Sequence, residues 1–346
     1  MKSILQQIAP EHMPPFKLSI QQHELKFKNR IKTSRGCLDT MNCYLVHCEH
    51  EQGHGVGECC PMPFYSPEYH EHMLADLQKA CAMVEAKGGL DAGDFPRQSS
   101  IRFALEGALL SSLHEPIWDN AYTRGEVGIP LHHLIWMDST EGMRTQITRG
   151  INAGYHCIKM KTSPETWATD LQLLREAREL NPMVELRVDA NGSFSPNDAA
   201  ERLEELASIG ISCIEQPIAP HQWEEMAKLV AQSPVRIALD EELINCHSYE
   251  QRELMICNIK PHALVIKPSL HGGLQAAVEY AKLARQHKMA CWLNSSLESN
   301  IGLNILAQFA GQYMPERIHA LGTGHLYQQN FNTPTQLIDK ELRYID

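Results

Sequence analysis

The hydrophobic pattern of the chain divides near residue 129. Before that point, much of residues 16–65 alternates apolar and polar positions with a period of two, as in Met41–His47, which predicts antiparallel strands. Residues 68–87 and 98–113 instead place apolar side chains on one helical face, which predicts two helices. The N-terminal third is therefore expected to combine a small antiparallel sheet with helices.

From residue 129 onward, short apolar runs alternate with longer amphipathic stretches, a pattern typical of parallel strands connected by helices. The predicted strands are Leu131–Met137, Cys157–Lys161, Glu185–Ala190, Cys213–Pro217, Ile237–Glu241, Ala263–Pro268, Ala290–Asn294 and Ile318–Leu321. Predicted helices include Trp167–Leu180, Pro196–Ile209 and Leu274–His287. Eight strands, nearly all ending in polar residues, favour a closed α/β barrel over the alternative, a doubly wound open sheet.

Ionisable residues end five successive strands of this predicted barrel: Lys161, Asp189, Glu215, Asp240 and Lys267. Neighbours in the series are 25 to 28 residues apart, a length that accommodates one strand, one helix and two loops. Each side chain should therefore recur at the same level of successive strands. That level is the C-terminal mouth of the barrel, where active sites are built.

The three acids, Asp189, Glu215 and Asp240, are expected to converge on one point. Without a cation, three nearby carboxylates would repel one another and at least one would become protonated. Oxygen ligands suit a hard cation such as Mg²⁺. Helix capping is a reasonable alternative for Asp189 alone, but glutamate caps poorly and capping does not explain three acids in register. The sequence therefore predicts a divalent-metal site.

Lys161 and Lys267 lie in apolar runs on opposite sides of the predicted barrel, and lysine is seldom buried unless it is paired or functional. Lys159 precedes Lys161 by two residues, so both should point to the same face of the strand. Neighbouring cations should lower the pKa of such a lysine toward the ~7–8 that suits a general base. A lysine base beside a metal suits proton abstraction next to a carboxylate, because both cations stabilise the resulting enediolate.

Composition narrows the expected partners. The chain carries 31 Lys and Arg against 42 Asp and Glu, and this net charge of −11 disfavours nucleic acid and anionic membranes as partners. The 11 cysteines include no Cys-x-x-Cys pair, and reduced thiols are typical of a cytoplasmic protein. No signal peptide or membrane-spanning run is evident. We expect a soluble, cytoplasmic protein that acts on a small-molecule carboxylate.

Two other classes of protein fit the residues less well. A metal hydrolase on a barrel would prefer histidine ligands near the first strand. The triplet His70-Glu71-His72 lies outside the predicted barrel, and His132 and His133 are strand neighbours that face opposite ways. A barrel kept only as a binding module would have lost the base or a metal acid, and all of these residues are present.

Several motifs together resemble the muconate-lactonising subgroup of the enolase superfamily. They are Lys159-Met160-Lys161, Asp189-Ala190-Asn191, Glu215-Gln216-Pro217, Asp240-Glu241 and Lys267-Pro268. The resemblance implies a modified TIM barrel, (β/α)7β, over residues 126–324. It also implies an α+β capping domain built from residues 1–125 and the tail 325–346, whose loop at 57–66 closes over the substrate.

Within that subgroup, the segments Ile266–Leu270, Ser295–Leu303 and Gly322–Gly324 resemble the o-succinylbenzoate synthase family. The resemblance implies syn dehydration of a succinyl-hydroxy-cyclohexadiene carboxylate to o-succinylbenzoate, a step of menaquinone biosynthesis. It implies Mg²⁺ as the cofactor, with Mn²⁺ as an alternative.

The same resemblance implies roles for individual residues. Lys161 would act as base and then as acid, and Lys267 would stay charged and stabilise the enediolate or the ring. Lys159 would contact the substrate carboxylate or tune Lys161. Ser295 and Ser296 are both candidates for holding the succinyl group.

Three further residues are expected to orient the metal ligands from behind. The resemblance implies this role for Asn191, two residues after Asp189, and for Glu241, directly after Asp240. Arg187 points the same way as Asp189 on its strand, so it is a candidate partner for one of the acids.

A racemase or epimerase of N-acyl amino acids or dipeptides is the alternative within the superfamily, with one lysine working on each face of the α-carbon. Dipeptide epimerases resemble one another in an Asp-x-Asp at the eighth strand. Gly322-Thr323-Gly324 occupies that region here, which argues against them. Racemisation of N-succinylamino acids stays open, because it uses the same site design.

Overall fold

The computed structural model describes residues 3–91 and 96–345, and its N-terminal part contains an antiparallel sheet and helices, as predicted. The elements in chain order are α1 (Ile4–Gln7), β1 (Lys17–Thr33), β2 (Gly36–His50), β3 (Gly53–Cys59), α2 (Met73–Lys87) and α3 (Ser99–Leu113). The sheet has the order β1-β2-β3, and both pairings are antiparallel. Helix α2 begins at Met73, five residues later than predicted.

Two glycines of β3 allow this strand to lie directly on α3. A Cβ atom at Gly57 would come within 1.8 Å of the Ala104 carbonyl oxygen, and one at Gly55 within 2.3 Å of the Ala108 carbonyl oxygen. Any side chain at either position would therefore push the strand off the helix. The glycines in this segment serve close packing between a strand and a helix, in agreement with the prediction that they are not a dinucleotide-binding loop.

The second part of the chain forms a parallel sheet with helices after its strands. Its elements are β4 (Ile129–Pro130), β5 (His133–Ile135), α4 (Thr140–Asn152), β6 (Cys157–Lys161), α5 (Trp167–Leu180), β7 (Glu185–Asp189), α6 (Pro196–Ile209), β8 (Cys213–Glu215), α7 (Trp223–Gln232), β9 (Arg236–Leu239), α8 (Tyr249–Ile259), β10 (Ala263–Ile266), α9 (Gly273–Gln286), β11 (Ala290–Leu293) and α10 (Asn300–Tyr313). The seven strands from β5 to β11 are neighbours in chain order.

The eighth predicted strand, Ile318–Leu321, is reduced to isolated bridges. His319 forms a parallel bridge with Leu131, and Ala320 forms one with Asn294. Because these bridges connect the segments at the two edges of the seven-stranded sheet, they close the curled sheet into a ring. Seven helices from α4 to α10 surround it, which confirms the modified (β/α)7β barrel and rejects the open sheet.

The C-terminal tail connects to both parts of the molecule. Phe27 of β1 bridges to Tyr327 and stacks on its ring with 4.6 Å between centroids. Farther on, β12 (Thr335–Ile338) and β13 (Glu341–Tyr344) form a small antiparallel sheet with β4. The predicted domain boundaries remain a prediction, and residues 1, 2 and 346 at their outer limits lie outside the described residues.

The barrel strands are short, and several of the barrel helices begin with a side-chain cap. All four residues of β10 are buried, as expected for a strand covered on both faces. The hydroxyl of Ser195 accepts from the Asp198 backbone N–H at the start of α6, and Ser248 forms a capping box at the start of α8. None of the helices within 3–91 and 96–345 is long and apolar enough to cross a membrane.

Candidate active site

The ends of β6, β7 and β8 bring the predicted site residues side by side. Lys161 is the register partner of Asp189, and Asp189 is the register partner of Glu215. Asp240 follows β9 directly, and Lys267 follows β10 directly. The three acids are almost completely buried, with at most 2% of each residue exposed. The spacing in the sequence therefore did translate into one level at the barrel mouth.

Two lysines pair with these acids. The Nζ atom of Lys159 lies 2.9 Å from Asp189 Oδ2 and 2.6 Å from Glu215 Oε2. The Nζ atom of Lys267 donates a short hydrogen bond to Asp240 Oδ2. Burial by itself would lower the pKa of Lys159, but the charges of Asp189 and Glu215 raise it above its usual range. These anionic neighbours oppose the lowered lysine pKa expected from the sequence. That expectation includes a neighbouring divalent cation and stays a prediction.

Lys161 has different surroundings. Its Nζ atom donates to the neutral amide oxygen Oδ1 of Asn191 at 2.7 Å and lies 3.5 Å from Asp189 Oδ2. The Nδ2 atom of Asn191 in turn donates to Glu241 Oε1 at 3.0 Å. Asn191 adopts a left-handed backbone conformation, with φ of 45°, that turns the chain after β7. A neutral amide thus holds the Lys161 ammonium group in position at the edge of the acid cluster.

The charges of the cluster shift the acids in opposite directions. Burial would raise the pKa of Asp189, but Lys159, Lys161 and Lys267 together lower it. Burial and the negative charge of Asp189 raise the pKa of Glu215. Asp189 is therefore firmly ionised, whereas Glu215 resists ionisation. The cluster can therefore accommodate an additional positive charge.

The donor set suits a hard divalent cation. Besides its charged oxygens, the cluster contains two buried carboxylate oxygens, Glu215 Oε1 and Glu241 Oε2, that have no hydrogen-bond partner within the described residues. A buried carboxylate oxygen without a partner is costly unless a ligand meets it. Carboxylate oxygens are the ligands that Mg²⁺ and similar cations prefer. The residues at the barrel mouth therefore fit the predicted metal.

Within the described residues, another set of potential ligand side chains lies close together. Ligand atoms of Cys43, Glu58 and Cys60 all lie within 4.8 Å of one another, whereas the acids at the barrel mouth are separated by the lysine that bridges two of them. Both oxygens of Glu58 already accept hydrogen bonds, from the Ser299 N–H, the Ser299 hydroxyl and the Gly302 N–H. This saturated carboxylate joins β3 to the start of α10.

A cavity of about 1170 Å³ opens over the acid cluster. Lys159, Lys161, Asp189, Asn191 and Lys267 lie at its inner end. The predicted capping part contributes residues of the β1–β2 hairpin and of the loop after β3 to its wall: Lys28, Asn29, Arg30, Ile31, Lys32, Thr33, Cys37, Met62 and Tyr65. The predicted loop at 57–66 therefore does border the cavity.

The structure gives the two predicted serines different surroundings. Ser295 lines the cavity, but its hydroxyl lies 2.5 Å from Glu298 Oε2 and 2.7 Å from the Thr323 hydroxyl, and it also accepts from the Leu297 N–H. Its hydrogen-bonding capacity is thus largely used within the protein. Ser296 is buried, and its hydroxyl has no partner within the described residues.

Arg187 does not orient a metal-binding acid, so that prediction is wrong. Its Nε atom donates to Glu185 Oε1 at 2.8 Å, and its guanidinium lies 4.3 Å from the centre of the Trp292 ring. Arg187 does point the same way as Asp189, but it is two residues nearer the amino end of β7. Its side chain therefore meets a partner in a lower layer of the barrel.

Sequence reasoning missed several polar residues at the site. Glu298 is fully buried and accepts from the hydroxyls of Ser269 and Ser295, each at 2.5 Å. His271 lies with its Nε2 atom 3.6 Å from Asp240 Oδ1, while its Nδ1 atom accepts from the Lys267 backbone N–H. His271 and Glu298 follow strand ends by only a few residues, and this position was the signal that could have identified them.

A closed parallel ring with an acid and lysine cluster at its C-terminal mouth is the arrangement expected of the enolase superfamily. Residues 142–345 match the family model described as Enolase C-terminal domain-like.

An o-succinylbenzoate synthase of Desulfotalea psychrophila is 36% identical, over 92% of this chain and 96% of that relative. The crystal structure of MenC from the same organism has a TM-score of 0.81 at 34% identity and covers 95% of this chain and 100% of that one. The chain therefore belongs to the o-succinylbenzoate synthase family, and it is a carbon–oxygen lyase.

A more distant structure shares the fold alone. A dipeptide epimerase of Enterococcus faecalis V583, solved with Mg and the dipeptide L-Leu-L-Tyr, is 18% identical with a TM-score of 0.83. The match covers 96% of this chain and 98% of that chain.

Proposed function

We propose that this enzyme dehydrates a succinyl-hydroxy-cyclohexadiene carboxylate to o-succinylbenzoate, as part of menaquinone biosynthesis in the cytoplasm. One observation carries the proposal beyond family membership. Lys161 borders the cavity with a neutral amide as its hydrogen-bond partner, whereas Lys159 and Lys267 are held by carboxylates at the barrel mouth. Lys161 is thus the lysine whose ammonium group is least committed to an ion pair.

We assign Lys161 as the base that removes the proton from the carbon next to the substrate carboxylate. The neutral amine of Lys161 becomes an ammonium group when it takes this proton. The ammonium group then donates a proton to the departing hydroxyl, which leaves as water. One side chain can serve both steps when proton and hydroxyl leave from the same face, as syn elimination requires. Asn191 acts as a positioning residue, because its amide holds Lys161 and is itself held by Glu241.

Asp189, Glu215 and Asp240 would hold a divalent cation, with Mg²⁺ favoured over Mn²⁺. Such a cation would supply positive charge that stabilises the negative charge formed when the substrate loses its proton. Lys267 contributes a permanent positive charge from the opposite side, since the surrounding carboxylates raise its pKa although burial by itself would lower it. Lys159 forms ion pairs with Asp189 and Glu215, and it borders the cavity.

The capping role is assigned to residues 1–125 together with the tail 325–346, over a barrel at 126–324. The hairpin between β1 and β2 and the loop after β3 both border the cavity, which supports this division. Tyr65 of that loop is connected to the hairpin, because its hydroxyl lies 2.6 Å from the hydroxyl of Ser34. Closure by these segments would exclude water from the reacting carbons.

The deciding experiment follows aromatic product by ultraviolet absorbance, with purified enzyme and the cyclohexadiene substrate. We expect turnover that is lost with a chelator and restored by Mg²⁺. Lys161→Ala should lower kcat by about 10³-fold or more while the fold is retained. Lys228→Ala, which removes an exposed lysine paired with Glu225, is the matched control and should keep wild-type activity.

A racemase of N-succinylamino acids is the second candidate. It is supported by Lys161 and Lys267, which both border the cavity. Deuterium exchange at the α-carbon of N-succinyl amino acids tests it alongside the dehydration assay. Fast exchange without aromatic product would reverse the two assignments. Exchange that is much slower than dehydration supports the lyase as the principal activity.

A further inference from the structure

Two residues that line the active-site cavity, His132 and Asn294, contain buried polar atoms without partners. His132 is 7% exposed and Asn294 is 5% exposed. The Nδ1 atom of His132 and the Oδ1 atom of Asn294 are fully buried and accept no hydrogen bond within the described residues. Such atoms are uncommon because they lose their hydration without a replacement, and here they mark two side chains whose polar groups the described part of the protein does not engage.

Both residues flank the segment that closes the barrel. The backbone N–H of His132 donates to the His319 carbonyl oxygen at 2.9 Å. On the other side, Asn294 bridges to Ala320, and its backbone N–H donates to Ile266 at 2.9 Å. The backbone of each residue is therefore fixed by the barrel, while the side chain makes no hydrogen bond among residues 3–91 and 96–345.

The polar atoms that remain available on these side chains are nitrogens. Nε2 of His132 and Nδ2 of Asn294 make no hydrogen bond within the described residues, and both side chains line the cavity, so these nitrogens can donate to a ligand. Burial, reinforced by the positive charge of Lys159, lowers the pKa of His132 well below its usual range. The imidazole is therefore neutral and can donate through one nitrogen. Two neutral donors suit a neutral acceptor.

We propose that His132 and Asn294 hydrogen-bond the keto oxygen of the succinyl group, an acceptor that substrate and product share. This inference rests on the proposed function and names a contact within the same cavity. The three lysines of the site provide charge for carboxylates, whereas a keto oxygen needs donors without charge. The hydroxyl of Ser295 is already engaged with Glu298 and Thr323, and Ser296 is not among the residues that line the cavity. Asn294 is therefore the better donor at the end of β11.

The test compares two ligands by calorimetry in the presence of Mg²⁺. One is o-succinylbenzoate, and the other is 4-(2-carboxyphenyl)butanoate, which keeps both carboxylates but has a methylene in place of the keto group. We expect the wild-type protein to bind o-succinylbenzoate at least about tenfold more tightly. Asn294→Leu and His132→Leu should each weaken o-succinylbenzoate binding and bring the two affinities closer together.

Thermal unfolding of the ligand-free variants separates binding from structure. Because leucine removes an unpartnered polar atom at similar volume, Asn294→Leu should unfold at the wild-type temperature or above it. Trp118→Phe is the matched control. Its Nε1 atom is also buried without a partner among the described residues, but Trp118 lines a different cavity. The control should leave the ratio of the two affinities unchanged.

The failures of the two proposals are distinguishable. Wild-type protein that binds neither ligand and forms no aromatic product refutes the proposed function. Wild-type protein that forms product and discriminates between the ligands, with both leucine variants discriminating equally well, overturns the assignment of His132 and Asn294. A lowered unfolding temperature of Asn294→Leu with unchanged ligand discrimination would assign Asn294 a purely structural role.

Discussion

Buried carboxylates occur in two regions of this molecule, and their surroundings differ. At the interface between the β3 sheet and the barrel, Glu58 and Glu106 accept hydrogen bonds from backbone N–H groups at the starts of α10 and α9. At the barrel mouth, Asp189 and Glu215 face ammonium groups, and one oxygen of Glu215 has no partner among the described residues.

This difference distinguishes acids with a structural role from acids that are available to bind a ligand. Backbone N–H groups at the start of a helix satisfy a carboxylate permanently and hold two elements together. Side-chain ammonium groups and unpartnered oxygens leave a site that can rearrange around a cation and an anionic substrate. The comparison predicts that substitutions in the two regions have opposite consequences for stability and activity.

The largest effect is expected from Glu215→Gln. Loss of one metal-binding oxygen should lower kcat/KM by about 10³-fold or more and weaken Mg²⁺ binding measured by calorimetry. Stability should be unchanged or higher, since a buried acid that resists ionisation has been replaced by a neutral amide. Retention of Mg²⁺ affinity by this variant would contradict the assignment of Glu215 as a ligand.

Glu58→Gln should show the reverse behaviour. The amide offers one acceptor oxygen where the carboxylate serves three donors, so at least one donor near Ser299 is left unpaired. The free energy of unfolding should fall by about 2–4 kcal/mol, as measured by urea denaturation. Mg²⁺ affinity should stay at the wild-type value, and a specific loss of metal binding would show that the two regions are not independent.

The pH dependence of stability should reveal Glu106. Burial raises the pKa of Glu106 to about 8 from the ordinary value of 4.5, so the unfolded chain loses this proton at lower pH than the folded protein does. Stability is then highest below pH 4.5 with respect to this group and falls as pH rises toward 8. Between pH 4.5 and 8, the wild-type protein should lose free energy of unfolding, and Glu106→Gln should reduce this loss by about 1–3 kcal/mol, as measured by denaturation. Parallel profiles would argue against a raised pKa.

The smallest effect is expected for Asn191→Ala. Lys161 would lose its neutral partner but keep its place on β6, so kcat should fall by about tenfold with little change in KM. Asn191→Asp is the informative companion, because a carboxylate would pair with Lys161 and slow proton abstraction further. An Asn191→Asp variant as active as the wild type would contradict the positioning role.

A large part of the fold and of the candidate site could be predicted from the sequence. Trp167–Leu180 and Pro196–Ile209 form helices with the predicted bounds, because apolar spacing and, in the second helix, the Ser195 cap are local signals. The level of Lys161, Asp189 and Glu215 also followed from spacing alone, since one strand and one helix consume a nearly constant length. The family, the reaction class and the set of candidate acids were all within reach of the sequence.

What the sequence determined by itself is the periodic part of the protein: which residues form each element, and which strand end each acid and lysine occupies. Only the tertiary structure decided their partners. Arg187 lies with Glu185 and Trp292, Ser295 is engaged by Glu298, and Asn294 and His132 are left without partners within the described part of the chain. The physical reason is that hydrogen bonds and unpaired atoms depend on side-chain reach between strands, which no local pattern records.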